Sequence, residues 1–404
     1  RVDLKGYVRY ALVGGSFCMT ALDYIRSRAA GAAQGSPEAA VYANLADFVE
    51  RKLWHQLTQE LLSVINKSTI DKQVELYHEF IRDFANKLNP VSLARLLKQI
   101  VANECSDPKQ ALELLEPQLV PDSSFVYHDT EARVLILSEV SVLRLNGGDR
   151  DEAKSRLQTA RSLVDGADED QLSKETRSAF YAAAASFHKI VGTAAEFYKN
   201  AMLFLAYMEV DSLPVATKNQ WAFDLSVAAL VGEEIFNFGE LLTHQVVKDM
   251  QHTEFLWVFQ LLSAFDRGDL TEFDKICSSY ADQMNAQPIL VANSEFLRQK
   301  ITIMALLDFA FERVSERKLT FDEVATRCRL PREEVDFLLM RAMCLHLIDG
   351  SIDGVNDCVT ITRVQPRVIG RDHVGDMARR LGVWCNNVST TLSFVENESS
   401  ELFT

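Results

Sequence analysis

A ladder of small residues runs through most of this chain and constrains what it can fold into. Gly148 is followed by Ala153, Leu157 and Ala160; Gly268 is followed, at the same three offsets, by Phe273, Cys277 and Tyr280. Ala194, Tyr198 and Ala201 repeat the last three of these positions, and Ala111 with Leu115 begins another copy behind a helix-starting Ser-Asp-Pro at 106–108. The anchors 111, 153, 194 and 273 lie 42, 41 and 79 residues apart, so the period is near 40, and a weaker copy is expected near Ile235 to Leu242. A small residue at one place in each helix pair lets neighbouring helices approach closely, and each pair buries its apolar face only by stacking on the next. The spacing predicts an α-solenoid. The alternative is an irregular helical domain in which the alanine spacing is accidental.

Punctuation along the chain agrees with a helical array. Only 17 Gly and 9 Pro occur in 404 residues, and apolar residues recur at spacings of three and four up to about residue 315. Breaks are expected at 29–37, 121–124, 165–170, 211–214 and 285–288, none long enough for a disordered linker. The turn Asn146-Gly147-Gly148-Asp149 reads as the corner between paired helices. A chain of this length implies two or three domains or an elongated array. With 42 basic and 57 acidic residues the net charge is −15, which repels phosphate backbones and anionic membranes and favours protein partners. No apolar run approaches the ~20 residues that span a bilayer. The seven cysteines (Cys18, Cys105, Cys277, Cys328, Cys344, Cys358, Cys385) are scattered and never closer than 14 residues, which suits a reducing compartment. Arg1, Lys5 and Arg9 ahead of an apolar run share a pattern with signal peptides, but unpaired cysteines argue against an oxidising destination, so a cleaved signal is not expected.

Residues 318–364 are organised differently. Leu319 to Phe321 reads as a strand, and Thr320 or Asp322 can cap the helix that follows. Pro331 opens a second helix at its first turn. The run from Leu347 to Val364 then reads as a hairpin with Val359 and Ile361 on one face and Thr360 and Thr362 on the other. This is the order of a winged helix, led into by a helix over Ser294 to Arg313 that carries Phe296, Ile301, Met304, Leu307 and Phe311. A DNA-reading winged helix needs basic groups at the start of its second helix and on its wing. Here that helix opens with Arg332, Glu333, Glu334 and Asp336, and the wing offers Asp349, Asp353 and Asp357. The charges are wrong for nucleic acid, and an assembly role is expected. The chain ends in a helix, 372–397, whose apolar positions Val374, Met377, Leu381, Trp384 and Val388 step by three and four, the spacing of a bundle seam. That seam either binds other subunits or folds back on the winged helix of its own chain.

A helical array running into an acidic winged helix and then a terminal helix resembles the PCI-domain proteins, found in the proteasome lid, the COP9 signalosome and translation initiation factor three. The stretches RKLWHQLTQELL (51–62), LNPVSLARLL (88–97), IFNFGELL (235–242), KLTFDEVA (318–325), GSID (350–353) and VQPRV (364–368) resemble a lid subunit of the proteasome regulatory particle. The resemblance covers 38–404 and leaves 1–37 as an N-terminal extension of open role. It implies a mostly α protein, with a right-handed α-solenoid of TPR-like helix pairs over 38–292, the winged-helix part of a PCI domain over 293–364, and a linker with a C-terminal bundle helix over 365–404. It implies a non-catalytic scaffold of the lid, cytoplasmic and nuclear, in a hetero-oligomer with other PCI-domain lid subunits, MPN-domain subunits and a ubiquitin-receptor subunit. The expected interfaces are a winged-helix edge at Val359, Thr360, Ile361, Thr362 and Val364, and the seam Val374, Met377, Leu381, Trp384 and Val388. A PCI subunit of another complex, including a nucleic-acid adaptor, is the alternative.

Catalytic chemistry has little to stand on. His78 and Glu79 begin an HExxH-like pair, but its fifth position is Arg82, which cannot ligate zinc. The Val13-Gly14-Gly15 run lacks the lysine and spacing of a phosphate loop, and no GxSxG or Cys/His signature occurs. No cofactor or metal is expected. His55, beside Trp54, is read as part of a packed helix. A nucleic-acid adaptor would need Arg327, Arg329, Arg363, Arg367 and Arg371 to converge on one basic face; an enzyme would need a convergent site hidden by the spacing.

Overall fold

Side-chain caps fix where six of the helices begin. The computed structural model describes residues 23–28, 37–66, 73–105, 107–120, 125–168, 171–208, 214–313, 317–365 and 371–398. The possible leader around Arg1 to Leu22 and most of the N-terminal extension lie outside these residues. The chain divides into two compact units, Arg1–Asp211 and Ser212–Thr404.

The first unit is a stack of antiparallel helices: α1 (Pro37–Glu50), α2 (Trp54–Asn66), α3 (Pro90–Glu104), α4 (Pro108–Leu115), α5 (Thr130–Asn146), α6 (Arg150–Gly166), α7 (Lys174–Ile190) and α8 (Ala194–Tyr207). Asn89, Asp129, Ser173 and Thr193 cap α3, α5, α7 and α8, each side chain accepting a backbone N–H that the helix itself leaves unpaired. Pairs form between α5 and α6 and between α7 and α8. Ala153 and Ala160 are fully buried in the α5–α6 contact, and Ala111 is fully buried on α4, so the small-residue anchors act as the spacing predicts. Asn146 to Asp149 is the α5–α6 corner, with Gly148 at φ +90°.

One copy of the ladder sits three positions later than its alanines suggest. Three repeat-starting helices follow a glycine and then an N-cap residue, Gly148 and Asp149, Gly192 and Thr193, Gly268 and Asp269, and of these Thr193 and Asp269 accept a backbone N–H of the helix. Aligned on these corners, Phe197 takes the place of Ala153, and Phe197, Ala201 and Phe204 are buried while Ala194 and Tyr198 are only half-buried. The cap sets the register, and the alanine at 194 matched by accident.

The second unit begins with α9 (Val215–Val231), α10 (Phe238–Thr243), α11 (Gln245–Asp249), α12 (Leu256–Arg267) and α13 (Leu270–Ser279). The weak copy expected at 235–242 is a short broken helix, with Ile235, Phe236, Phe238 and Leu241 buried. Next comes α14 (Ser294–Glu312), which packs on α9, α12, α13 and the winged helix and is the hub of this unit. Ile301, Met304 and Leu307 are buried as predicted, while Phe296 and Phe311 at its two ends are half-buried.

The winged helix then follows as β1 (Lys318–Thr320), α15 (Phe321–Cys328), α16 (Arg332–Cys344), β2 (Ile348–Asp353) and β3 (Cys358–Val364), and the described chain ends in α17 (Arg371–Glu398). Thr320 caps α15 in a reciprocal box with Glu323. Phe321 is therefore the first helical residue rather than the last of the strand. Pro331 stands just outside α16 in extended conformation, one position earlier than the sequence suggests. Helical repeats followed by a winged helix and a terminal helix are the architecture predicted from the sequence.

Candidate protein interface

The winged-helix sheet has the order β1-β3-β2, all antiparallel. Val359 and Ile361 are buried, Thr360 is half-buried and Thr362 is exposed, the two-residue alternation expected of a strand over a core. The edge assignment needs correcting. β1 pairs with β3 through Lys318–Thr360, Leu319–Val359 and Thr320–Cys358, while β2 pairs along the other side from Asp353–Cys358 to Ile348–Val364. The Ile361 N–H donates to Arg317 O at 2.7 Å and the Gln365 N–H to Leu347 O at 2.8 Å. The strand holding Val359, Thr360, Ile361, Thr362 and Val364 is thus central, and the outer edges belong to β1 and β2. Three residues of β1, separated from the hairpin by two helices, return to close the side that a linear reading leaves open. Thr360→Pro accordingly breaks the domain's own ladder: we expect a loss of about 1–3 kcal/mol in the isolated chain, read by thermal melting. An unchanged melting temperature would return Thr360 to an edge.

The exposed face of α16 carries acidic and apolar groups. Glu333, Glu334 and Asp336 are exposed on its first turns, followed by Phe337, which is 69 % exposed, Met340 and Cys344. Arg332 is held by Asp322 at 3.6 Å and by Asp357. The arginines that a nucleic-acid face would use are also neutralised. Arg327 meets Asp308 at 3.1 Å and Glu312 at 3.5 Å, Arg329 meets Asp274 at 3.3 Å, and Arg363 meets Asp349 at 2.6 Å. Arg367 and the Arg371 side chain lie outside the described atoms. No basic stripe forms among the described residues.

On α17 the seam lies in the open. Val374, Met377, Leu381, Trp384 and Val388 are 46–63 % exposed, and Leu392 and Val395 prolong the stripe. Thr390 and Thr391 turn their hydroxyls onto backbone carbonyls of the same helix, at 2.8 Å each. The seam does not pack on the winged helix of its own chain in this structure.

Lys300 is the feature that sequence reasoning missed. It sits on α14, is 1 % exposed, and its Nζ donates to the carbonyls of Ala229, Leu230 and Gly232 at 2.8, 3.1 and 2.6 Å. These belong to the C-terminal end of α9, where carbonyls have no partner within the helix. The rings of Phe236, Phe238 and Phe296 surround the ammonium at 5.2–5.8 Å. Burial lowers its pKa to about 7, while the carbonyls and ring faces favour the charged form. A buried cation with helix-end partners is a structural clamp, and the signal was the lone lysine inside an apolar helix face.

Among the described residues, groups capable of catalysis are dispersed. Burial raises the thiols of Cys105, Cys277 and Cys328, the last to about 12, opposite to an activated nucleophile. The six described cysteines are free. His78, Glu79 and Arg82 are all exposed, on a helix that takes a five-residue π turn at Tyr77–Ile81. His55 is exposed rather than packed, whereas Trp54 is half-buried with the Lys87 ammonium over its ring at 4.7 Å. No cluster of metal-ligating residues occurs among the described residues. No described helix is long and apolar enough to cross a membrane.

Comparison with known proteins agrees with a repeat region followed by a PCI domain. Residues 41–262 match the PSD13 N-terminal repeats, and residues 277–363 match the PCI domain. The chain is 35 % identical to 26S proteasome non-ATPase regulatory subunit 13 homolog B of Arabidopsis thaliana, across 95 % of this chain and 99 % of the relative. It is 31 % identical to the 26S proteasome non-ATPase regulatory subunit 13 of Dictyostelium discoideum, covering 89 % and 93 %. It is 32 % identical to the 26S proteasome regulatory subunit RPN9 of Saccharomyces cerevisiae, covering 86 % and 90 %. Other PCI assemblies are not favoured by these relatives. A ladder of capped helix pairs, an acidic winged helix and full-length similarity to these subunits together place the chain in the family of proteasome non-ATPase regulatory subunit 13, built from PSD13 N-terminal repeats and a PCI domain.

Proposed function

We propose that the chain is a non-catalytic structural subunit of the proteasome regulatory-particle lid, supporting lid assembly and thereby ATP-dependent degradation of ubiquitinated proteins. Its full-length similarity to regulatory subunits named non-ATPase carries this reading. The uncovered seam of α17 supports it, because five large apolar side chains left in water are costly unless an assembly buries them. In this reading 38–292 is the repeat array, 293–364 the winged-helix part, and 365–404 the linker and bundle helix, with 1–37 an extension. The partners are other PCI-domain lid subunits, MPN-domain subunits and a ubiquitin-receptor subunit, in the cytoplasm and nucleus. The winged-helix contact uses the free outer edge of β2, whose inner side is paired to β3 at Val359 to Val364.

Truncation tests the proposal. A chain ending at Ile369 is expected to fold yet to be missing from purified lid, while the full chain assembles and by itself neither cleaves ubiquitin chains nor hydrolyses ATP. Burying one Leu-sized side chain contributes about 1.5–3 kcal/mol, so loss of the seam lowers affinity by several factors of ten. Normal incorporation of the folded, truncated chain would rule out α17 as the anchor, and activity abolished by a single substitution would rule out the scaffold.

A further inference from the structure

Three threonines among the described residues are followed, three positions on, by an acidic residue: Thr193 by Glu196, Thr271 by Asp274 and Thr320 by Glu323. Acidophilic protein kinases read that spacing through basic groups of their own, and all three threonines are exposed. Their surroundings separate them. Thr193 and Thr320 cap their helices, and their hydroxyls face the acid of the same turn, Glu196 Oε2 at 3.4 Å and Glu323 Oε2 at 2.8 Å. A phosphate on either would meet a carboxylate and forfeit the cap. Thr271 lies on the first turn of α13 without capping it. Asp269 does that, its Oδ1 accepting the N–H groups of Thr271 and Glu272 at 2.8 and 3.2 Å. The Thr271 hydroxyl instead accepts from Nη2 of Arg329 at 2.9 Å.

Arg329 is the residue that ends α15. Together with Thr271 it lines a cleft of about 810 Å³ that Arg267, Arg313 and Arg327 also line. The acids of the same lining are engaged: Asp269 by the two N–H groups, Glu323 by Thr320 and by Arg313 at 2.8 Å, and Asp322 by Arg332 at 3.6 Å. Arg267, exposed at the end of α12, pairs with no acid among the described residues. On α13 itself Glu272 and Asp274 are the nearby negative charges, and Asp274 holds Nη1 of Arg329 at 3.3 Å. We propose that Thr271 is a phosphorylation site whose phosphate is held by Arg329, tying α13 to the end of α15. An acidophilic kinase transfers the γ-phosphoryl group of ATP to Thr271 Oγ1: the new O–P bond forms there, the bond to departing ADP breaks, and the hydroxyl proton passes to the base of the kinase. A neutral hydrogen bond becomes a forked, charge-assisted pair, for which the guanidinium turns from Asp274 to the doubly charged group. The corner of the last helix pair and the winged helix, both within the second unit, are then joined by a modification that can be added and removed. None of this requires the chain to sit in a lid.

The experiment incubates the folded, full-length chain with ATP and an acidophilic serine/threonine kinase, maps the product by mass spectrometry and titrates it by phosphorus NMR. Phosphate is expected at Thr271, with a resonance that is missing from Thr271→Val. Its second ionisation should fall about half a pH unit below the ordinary value of about 6, because a neighbouring guanidinium on an exposed surface favours the dianion by a modest amount. In Arg329→Gln the midpoint should return to the ordinary value, and in Arg329→Lys, which keeps the charge and loses the fork, it should lie between the two. Thr271 left unlabelled in the folded chain, or labelled only after unfolding, would overturn the proposal. A phosphate that titrates identically with Arg329 and with Arg329→Gln would stand in solvent, and would overturn it equally.

Discussion

Replacing Gly268 by alanine is expected to destabilise the second unit by about 2–5 kcal/mol, from left-handed strain together with overpacking. Gly268 ends α12 at φ +66°, a conformation that L side chains rarely adopt. An added Cβ would stand 2.7 Å from Ala305 Cα, 2.8 Å from Ala305 N and 2.9 Å from Met304 C. All three are backbone atoms inside α14, which cannot move without disturbing the hub of the unit. Gly148 provides the control. It turns the equivalent corner at φ +90°, but nothing lies within 4 Å of its added Cβ. Gly148→Ala should therefore cost only the conformational term, about 1–2 kcal/mol. Denaturant titration of both variants measures the difference, and equal losses would mean that the approach to α14 contributes nothing.

Lys300→Ala should be comparably severe, about 2–5 kcal/mol, because it empties the volume of the buried stem and strands the carbonyls of α9. Lys300→Met keeps most of the stem and isolates the polar part, for which about 1–3 kcal/mol is expected. The pH dependence has a definite sign. In the unfolded chain the amine keeps its proton up to its ordinary value of 10.5, whereas the folded chain releases it from about 7. Between these values the unfolded state binds more protons, so the contribution of this group to stability rises with pH, by at most about 1.4 kcal/mol per unit. Below about pH 7 both states are protonated and the dependence vanishes. The wild-type chain should gain stability over Lys300→Met from pH 7 to 9; a constant gap across that range would show that the folded ammonium keeps its proton.

What was legible in the sequence and what was not divides along local and non-local lines. Caps, corners and the two-residue alternation of β3 depend on neighbours in the chain, so Thr320 as one of two candidate caps, the Asn146–Asp149 turn, and buried Val359 and Ile361 could be read directly. Strand order could not, because β1 reaches β3 only after α15 and α16 fold, and its three residues carry no alternation long enough to register. The ladder copy at Ala194 failed for a subtler reason: alanine spacing is a weak pattern, and the cap at Thr193 outranks it. Lysine ordinarily reads as solvent-exposed, so only the structure could pair Lys300 with the end of a helix about seventy residues earlier. The seam of α17 was visible by its spacing, but exposure in the free chain is a property of the fold.

Two glycines, Gly375 and Gly382, interrupt α17, and an added Cβ at either would meet nothing within 4 Å. They are therefore not there to admit a neighbour within the chain. Each weakens a helix by about 1 kcal/mol relative to alanine, and Val383, Val388, Thr390, Thr391 and Val395 add β-branched residues of lower helix propensity. A helix so composed gains little from its own backbone and depends on whatever surface covers its stripe. Winding and capture become one coupled equilibrium, in which part of the contact energy is consumed in ordering the segment. The intrinsic preference of these residues thus sets how readily the tail lets go, and makes its grip reversible by design of the polypeptide itself.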